Sequence, residues 1–362
     1  MSSLITHDEM RNLMARQVDK SLLDSAAKLD AINDIYVERT EDRRFRKRLR
    51  IMVAHMVKES STEGFAIAVT GPSGAGKSTL VNTTLDGTKG LAPFEDGYGN
   101  ILEPCLRIDT LPSTTAKDLA AEIVRATGYS LTKALHEEDG WDLVRTRLRA
   151  MKIKLIFFDE FQHVVKGPKA KGMAHLTNQM KRLMQNPEWP IWVIFAGVPE
   201  MMDFVEHDEW LQTKRRVRRV ELDNLEDRPE NIEDMRANLE ALAEAADLKL
   251  GFPVTDEFMR RLLHGGLWRF GMTIQLIKMA IEEAIVGEDD GDEDDDVELD
   301  LDHFVEAYYQ LSGCTKKSNV FSADNWQQIR REVVTKNGAK KLTKNFKLLE
   351  DIDAGLLEDS VL

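Results

Sequence analysis

Cysteine is scarce in this sequence, and signals for secretion or membrane insertion are lacking. The 362 residues include only two cysteines, Cys105 and Cys314, which are far apart and form no CxxC pair. This scarcity excludes a disulfide framework and a zinc module, and it favours a reducing compartment. The amino terminus, MSSLITHDEM, lacks a signal-peptide pattern, and the longest apolar run, roughly eight residues near Ile191, is far shorter than a membrane span. We therefore expect a soluble, cytoplasmic protein that makes no contact with a membrane.

Basic residues are outnumbered, but the excess of acidic charge is local. The chain has 63 acidic and 49 basic residues, which gives a net charge of −14. Of the 15 residues between Glu288 and Asp302, 11 are acidic, so the rest of the chain carries only −3. The rest of the chain is nearly neutral, so the acidic net charge does not exclude nucleic-acid binding. The acidic run predicts a solvated loop, because so many like charges cannot pack together.

Apolar residues form 42% of the chain, enough for a sizeable core, and their spacing divides the chain into four segments. Residues 1–60 are helical, 61–225 alternate strand and helix, 226–312 are again helical, and 313–362 form a tail that is a candidate partner-binding segment. The predicted strands are Phe65–Val69, Cys105–Ile108, Lys154–Phe158, Pro190–Phe195 and Arg218–Leu222. Two of them, Lys154–Phe158 and Pro190–Phe195, are continuous apolar runs, as strands buried on both faces of a parallel sheet are. The alternation of strand and helix over residues 65–225 indicates an α/β fold, a parallel sheet flanked by helices.

One predicted helix of the amino-terminal segment, over residues 41–58, is unusually basic. Its basic residues lie close together: Arg43, Arg44, Arg46, Lys47, Arg48 and Arg50. Two interpretations of this cluster stay open. It is either a solvated helix face or a surface that contacts phosphate or a neighbouring subunit.

A glycine-rich segment follows the first predicted strand and matches the phosphate-loop pattern G-x-x-x-x-G-K-[ST] without a mismatch. Its predicted nucleotide-binding residues are Gly71, Pro72, Ser73, Gly74, Ala75, Gly76, Lys77, Ser78 and Thr79. Glycines let backbone amides approach phosphate oxygens, and the amides that begin the next helix add partial positive charge. We expect Lys77 to reach the β- and γ-phosphates and the Ser78 hydroxyl to bind Mg²⁺. The segment therefore predicts a site for ATP and Mg²⁺.

Two carboxylates, Asp159 and Glu160, follow the third predicted strand. Ligands of open α/β sheets bind at the carboxyl ends of strands. We therefore expect Asp159 to hold the metal and Glu160 to polarise the attacking water, which favours hydrolysis over nucleotide storage. The Asp-Glu pair is typical of P-loop proteins with an additional strand, whereas kinases of small molecules and GTPases fit less well. An ABC transporter ATPase needs LSGGQ upstream of the pair, but Leu311–Cys314 is incomplete and lies downstream.

The phosphate loop, the segment Leu155–His163 and the predicted helical domain together resemble the AAA+ ATPases. Within that class, Phe158-Asp-Glu-Phe-Gln-His163 is similar to the D-E-[IF]-Q-H signature of the TniB/TnsC family of transposition regulators. Ile32–Val37 is similar to the amino-terminal segment of the family, and the resemblance covers roughly residues 30–312. It implies an AAA+ P-loop core with a helical lid.

The resemblance also implies subunits that assemble around duplex DNA, as a ring or a helical filament, with ATP bound between neighbours. Such homo-oligomers link a TniQ-like target-selection protein to a DDE-type transposase, and hydrolysis controls their assembly. An arginine of the adjacent subunit then stabilises charge on the γ-phosphate, and Arg216, beside Arg215, matches this position. Arg269 matches the second sensor of the lid, although its offset from the following helix departs from the family pattern.

A second departure concerns Ala196-Gly-Val-Pro-Glu200, where many AAA+ proteins carry a polar sensor residue. Water positioning is therefore expected to rely on Glu160 and backbone groups, or hydrolysis to be slow. DNA contacts are expected to be mainly with the backbone, from the start of one helix and from a loop after the third strand. The candidate residues are Thr114, Thr115, Lys117, Lys166, Lys169 and Lys171.

Two other functions are compatible with the same motifs. The first is a different AAA+ switch, such as a helicase-loader-like or secretion-associated ATPase. The second is an ATP-gated scaffold in which hydrolysis is negligible. The motifs alone do not separate these functions from regulation of transposition.

Overall fold

A computed structural model describes residues 5–112, 114–131, 136–165, 170–202, 216–286 and 297–329. The described chain divides into two compact units. The α/β unit is Glu38–Asn224, and the helical unit combines the residues up to Val37 with those from Leu225 onward. Within the described ranges, no helix has both the length and the apolar content needed to cross a bilayer.

Five parallel strands form the central sheet of the α/β unit, in the order β4-β5-β6-β1-β7. In chain order the strands are β1 (Ala66–Thr70), β2 (Phe94–Glu95), β3 (Ile101–Leu102), β4 (Cys105–Asp109), β5 (Leu155–Asp159), β6 (Trp192–Gly197), β7 (Val217–Glu221), β8 (Lys249–Leu250) and β9 (Glu298–Leu299). All five strands of the sheet lie on predicted runs, so the parallel sheet is confirmed. Strand β6 lies between β1 and β5, which confirms the additional strand that the Asp-Glu pair predicted.

Helices cover both faces of this sheet. The helices of the described chain are α1 (His7–Ala15), α2 (Lys20–Asp34), α3 (Thr40–Val57), α4 (Lys77–Asp86), α5 (Ala116–Ala126), α6 (Glu137–Ala150), α7 (Gln162–Val165), α8 (Ala170–Met184), α9 (Pro229–Ala245), α10 (Asp256–Gly265), α11 (Phe270–Val286) and α12 (Leu301–Ser312). Helices α3 and α4 share one core with the sheet, and α5, α6 and α8 share the other. The predicted layers are therefore confirmed.

The alternation of side chains along each strand divides the apolar residues between these two cores. In β1, Ile67 and Val69 pack with α3 and α4, whereas Ala66 and Ala68 pack with the opposite layer. Successive side chains of a strand point to opposite faces, so a strand covered on both sides must be apolar at every position. All five residues of β1 are accordingly buried.

The helical unit is built from α2 and α9–α12. Its core includes Leu239, Leu262, Ile277 and Phe304, and Ile32 of α2 packs among them. The short strands β8 and β9 pair in parallel within this unit. An amino-terminal helix thus completes a core whose other helices lie about two hundred residues later in the chain.

The strand register brings three chain segments to one edge of the sheet. Thr70, the last residue of β1, pairs with Gly197 of β6, and Asp109 of β4 pairs with Asp159 of β5. Because parallel strands end at the same edge, the phosphate loop, the acidic pair and the end of β6 lie side by side.

Candidate functional site

The phosphate loop joins β1 to α4 in a conformation that depends on its glycines. Gly74 and Gly76 have φ values of +77° and +87°, in the left-handed region that residues with a Cβ rarely adopt. A Cβ on Gly71 would lie 2.6 Å from the carbonyl oxygen of Leu222, so this position is closed to any side chain. The turn that results leads the backbone directly into the amino terminus of α4, where amides favour an anion.

Lys77 is buried at the first position of α4. Its ammonium donates hydrogen bonds to the carbonyl oxygens of Gly71 and Pro72, at 3.0 and 2.8 Å. A lysine charge is rarely buried without partners, and here the loop itself supplies them. The contacts hold the positive charge inside the loop, the place at which the sequence predicted a phosphate.

Ser78 and Asp159 are brought together across the site. The Ser78 side chain is hydrogen-bonded to the Asp159 carboxylate. Burial raises the pKa of Asp159 above its ordinary value, with a smaller contribution from the neighbouring carboxylates of Glu160 and Asp109. A carboxylate disfavoured by its surroundings is stabilised by a cation, and the two oxygen donors are of the type that Mg²⁺ prefers. These two residues therefore fit a magnesium ion.

Glu160 has a strained backbone. Its φ is +50°, left-handed although the residue is not glycine, and such conformations cost of order 1–3 kcal/mol. Two groups support the turn: the Asp159 carboxylate accepts the Glu160 N–H at 2.9 Å, and the Thr110 hydroxyl lies 2.7 Å from the carbonyl oxygens of both Asp159 and Glu160. The strain and its supports set the direction of the Glu160 side chain.

Gln162 links the Glu160 carboxylate to the end of β6. Its amide nitrogen donates to Glu160 Oε2, and its amide oxygen accepts the backbone N–H of Val198 at 3.2 Å. The side chain of Gln162 is buried, and a Cβ on Gly197 would lie 2.4 Å from its amide oxygen. The polar group that the sequence lacks after β6 is thus supplied from α7. Sequence reasoning treated Gln162 only as part of a family signature, and it missed both this role and that of Thr110.

The ring of His163, next in the signature, lies beside the same carboxylate. Its Nε2 atom is 3.9 Å from Glu160 Oε2, and its backbone N–H donates to the Glu160 carbonyl oxygen at 3.0 Å. Glu160 is therefore flanked by two side chains of the next turn, Gln162 and His163.

Arg216 and Arg269 lie in different units. Arg216 immediately precedes β7, and its guanidinium pairs with Glu63 at 2.8 Å. Arg269 immediately precedes α11, after two left-handed residues, Leu267 and Trp268, and burial lowers its pKa. The roles predicted for the two arginines in ATP hydrolysis stay predictions.

The predicted DNA-contacting residues have varied surroundings. The Thr114 hydroxyl is buried and donates to the Leu111 carbonyl oxygen at 2.6 Å, and Thr115 caps α5 through Asp118. Lys117 is exposed on the first turn of that helix. Lys166 and Lys169 lie outside the described residues, as does the side chain of Lys171. Contact of these residues with DNA stays a prediction.

Asp159→Asn is expected to raise the melting temperature at pH 7 without divalent cations, because asparagine carries no charge for burial to disfavour. Because the pKa of Asp159 is higher in the folded state than in the unfolded chain, its ionised form lowers the stability of the folded protein. The stability gained by Asp159→Asn is therefore complete at pH values above the folded pKa. It shrinks as the pH falls and vanishes below the unfolded pKa of about 3.9. Calorimetry from pH 8 downward measures it, with the exposed Asp223→Asn as control. A lower melting temperature of the Asp159→Asn variant at pH 7 would show that burial is not the main effect on the Asp159 carboxylate.

Gly197→Ala is expected to destabilise the α/β unit by about 1–3 kcal/mol, because the new methyl overlaps the Gln162 amide. In the Gly197→Ala background, Gln162→Ala removes the closest overlap, at 2.4 Å, and leaves the one with the Met201 sulfur at 2.8 Å, so this substitution should cost less than it does in the wild type. Urea denaturation of the wild type, the two single variants and the double variant measures the interaction free energy between the two residues. The control is Gly87→Ala, where a Cβ meets nothing closer than 3.5 Å. Additive effects of the two substitutions would show that the residues do not interact.

Comparison with known proteins identifies the fold. The ORC2 protein of Aeropyrum pernix, solved as ADPNP–ADP complexes, has a TM-score of 0.52 and 17% identity, over 77% of this chain and 70% of that chain. The ORC1 protein of the same organism, solved in complex with DNA, has a TM-score of 0.51 and 15% identity, over 78% and 67%. At these identities the likeness shows the fold alone, which is the AAA+ P-loop fold with a parallel sheet flanked by helices.

Family membership rests on a separate comparison. None of the curated proteins compared with the chain matches it. The sequence model described as "Bacterial TniB protein" matches residues 33–227, a span that includes the phosphate loop, the acidic pair and Gln162. Because this span is more than half of the 362 residues, the chain belongs to the TniB family.

Proposed function

We propose that the chain is an Mg²⁺-dependent ATPase whose site lies at the carboxyl edge of the sheet. The observation that carries the proposal is the contact of Ser78 with Asp159, because it joins the phosphate loop to the acidic pair at one point. Ser78 and Asp159 would hold Mg²⁺, which when bound neutralises charge on the β- and γ-phosphates. The left-handed glycines and Lys77 would bind the same phosphates.

Glu160 is the group best placed to accept a proton from the attacking water. A general base must hold its carboxylate in one direction, and here the strained backbone and the Gln162 amide restrict it. Gln162 would keep Glu160 at the end of β6, where AAA+ proteins carry a polar sensor residue. This arrangement supports the expectation that water positioning relies on Glu160, whereas slow hydrolysis stays the alternative.

The biological role that we infer is regulation of transposition on duplex DNA. Membership of the TniB family supports this role, and one protein of similar fold was solved in complex with DNA. In this proposal cytoplasmic subunits assemble as a ring or helical filament on the DNA backbone. They link a TniQ-like target-selection protein to the transposase, and ATP hydrolysis controls how long the assembly persists.

Assembly would place ATP between neighbours and Arg216 on the γ-phosphate of the adjacent subunit. Within the subunit Arg216 pairs with Glu63, so assembly requires the guanidinium to exchange partners. The cost is small, because partly exposed ion pairs contribute about 0–1 kcal/mol. Charge on a bound γ-phosphate is a sufficient alternative partner.

Electron microscopy with duplex DNA and a slowly hydrolysed ATP analogue tests the assembly. Rings or filaments that require both ligands support the proposal. Monomers at well above micromolar protein would contradict it and favour the loader-like switch. ATP-dependent assembly with no turnover in single-turnover assays would favour the ATP-gated scaffold.

Glu160→Gln is expected to retain ATP affinity and to reduce hydrolysis by at least about 100-fold, because the amide cannot accept a proton from water. Single-turnover assays with radiolabelled ATP measure the rate, and equilibrium binding measures the affinity. Lys77→Ala is the contrasting variant, since it should lose ATP binding itself. Hydrolysis at the wild-type rate in the Glu160 variant would remove this residue from the mechanism.

Arg216→Ala is expected to lower hydrolysis and assembly together while monomers stay folded. Glu63→Ala is the matched control, because it breaks the same ion pair and leaves the arginine in place. Hydrolysis with each variant, measured with DNA and at several protein concentrations, should fall for Arg216→Ala only. Equal losses in both variants would show that the ion pair has only a structural role.

A further inference from the structure

One side of helix α3 is basic and is not part of the proposed ATP site or of the apolar core. Its apolar face, with Phe45, Leu49 and Met52, is buried in the core shared with β1. Three exposed cations, Arg44, Lys47 and Arg48, follow the spacing i, i+3, i+4. Side chains at this spacing are neighbours on a helix surface, so the three charges form one patch.

Carboxylates neutralise other cations of this region but not this patch. Arg43 and Arg46 both pair with Glu38, and Arg39 pairs with Asp42. Arg44, Lys47 and Arg48 form no ion pair in the part of the chain that the structure describes. The acidic residues near the start of α3 therefore leave these three charges uncompensated.

A fourth cation extends the patch onto the edge strand of the sheet. Strand β7 packs against α3, and the Arg218 guanidinium lies over the Phe65 ring, 3.8 Å from its centroid. Burial lowers the pKa of Arg218, and the positive charge of Arg48 lowers it further. Two like charges are thus held together, and the ring fixes the plane of one of them. An anion at this place would relieve their repulsion.

We propose that the basic surface formed by Arg44, Lys47, Arg48 and Arg218 binds the phosphate backbone of duplex DNA. The inference rests on the proposed function, in which DNA is the polyanion. It adds four residues to the predicted DNA contacts, which are Thr114, Thr115, Lys117, Lys166, Lys169 and Lys171. Arg44 and Arg48 are about 6 Å apart along the helix axis. That is close to the axial rise over two phosphate steps of one strand, about 6.8 Å.

The chemistry of the four side chains favours the backbone over the bases. All four are cations, with no amide or aromatic side chain among them that would read a base edge. Three are arginines, whose planar guanidinium makes paired hydrogen bonds with phosphate oxygens. Binding at this surface is therefore independent of DNA sequence and strongly dependent on salt.

The test is the salt dependence of binding to a fluorescein-labelled duplex of random sequence, measured by anisotropy with a slowly hydrolysed ATP analogue. The variant is Arg44→Gln with Lys47→Gln, both exposed and outside the ATP site. Loss of two phosphate contacts should make the slope of log affinity against log salt shallower by about 2. The matched control is Arg16→Gln with Lys20→Gln, two exposed cations between α1 and the first residue of α2 that should leave the slope unchanged.

The substitution Arg218→Lys distinguishes the contribution of the positive charge from that of the planar guanidinium group. It keeps the positive charge but loses the planar group over Phe65, so affinity should fall several-fold with an unchanged slope. Circular dichroism melting of each variant verifies that the fold is intact.

The outcomes distinguish this inference from the proposed function. If the wild type binds no duplex, the proposed function fails. If the wild type binds and the Arg44/Lys47 variant keeps the same slope, only the surface assignment is overturned. The same slope with weaker self-association in sedimentation would overturn the DNA assignment and show instead that the patch contacts a neighbouring subunit.

Discussion

The position of β6 between β1 and β5 is the constraint on which the site depends. It separates the phosphate loop from the acidic pair by one strand, so the groups that act on a nucleotide must reach across the end of β6. Ser78 reaches Asp159 from one side, and Gln162 connects Glu160 to Val198 from the other. That strand end has room for Gln162 because Gly197 has no side chain.

Charges in the α/β unit are stabilised in different ways according to their burial. Lys77 is buried and has carbonyl partners within its own loop, whereas Asp159 is half-buried with a raised pKa and has only Ser78 and a backbone amide to oppose the cost. The first arrangement is satisfied within the chain. The cost at Asp159 would be relieved by a bound cation, and the repulsion within the basic patch on α3 would be relieved by a bound anion. Incompletely compensated charges thus mark the places where ligands are proposed.

The sequence was most informative where a local pattern determines the structure. Apolar runs predicted the inner strands β1, β5 and β6, since a strand covered on both faces needs apolar residues at almost every position. The edge strands β4 and β7 carry charged residues such as Arg107 and Arg219 and gave a weaker signal. The phosphate loop was evident from its glycines. The hairpin of β2 and β3 was missed because its strands have two residues each, with partly exposed side chains such as Phe94 and Ile101. The packing of α2 with α9–α12 was also missed, because helical periodicity identifies an apolar face but not its partner. Gln162 and Thr110 act through hydrogen bonds across strands, which no local pattern encodes.

The left-handed backbone at Glu160 has a consequence for the relation between stability and activity. Glycine or asparagine would adopt this conformation at lower energy, so the site retains a residue that its backbone disfavours. A selection for thermal stability alone would therefore be expected to replace Glu160 early. With the role proposed for Glu160, the recovered proteins would fold better and turn over no ATP. The strained backbone at this residue lowers the stability of the fold and fixes the direction of the Glu160 carboxylate.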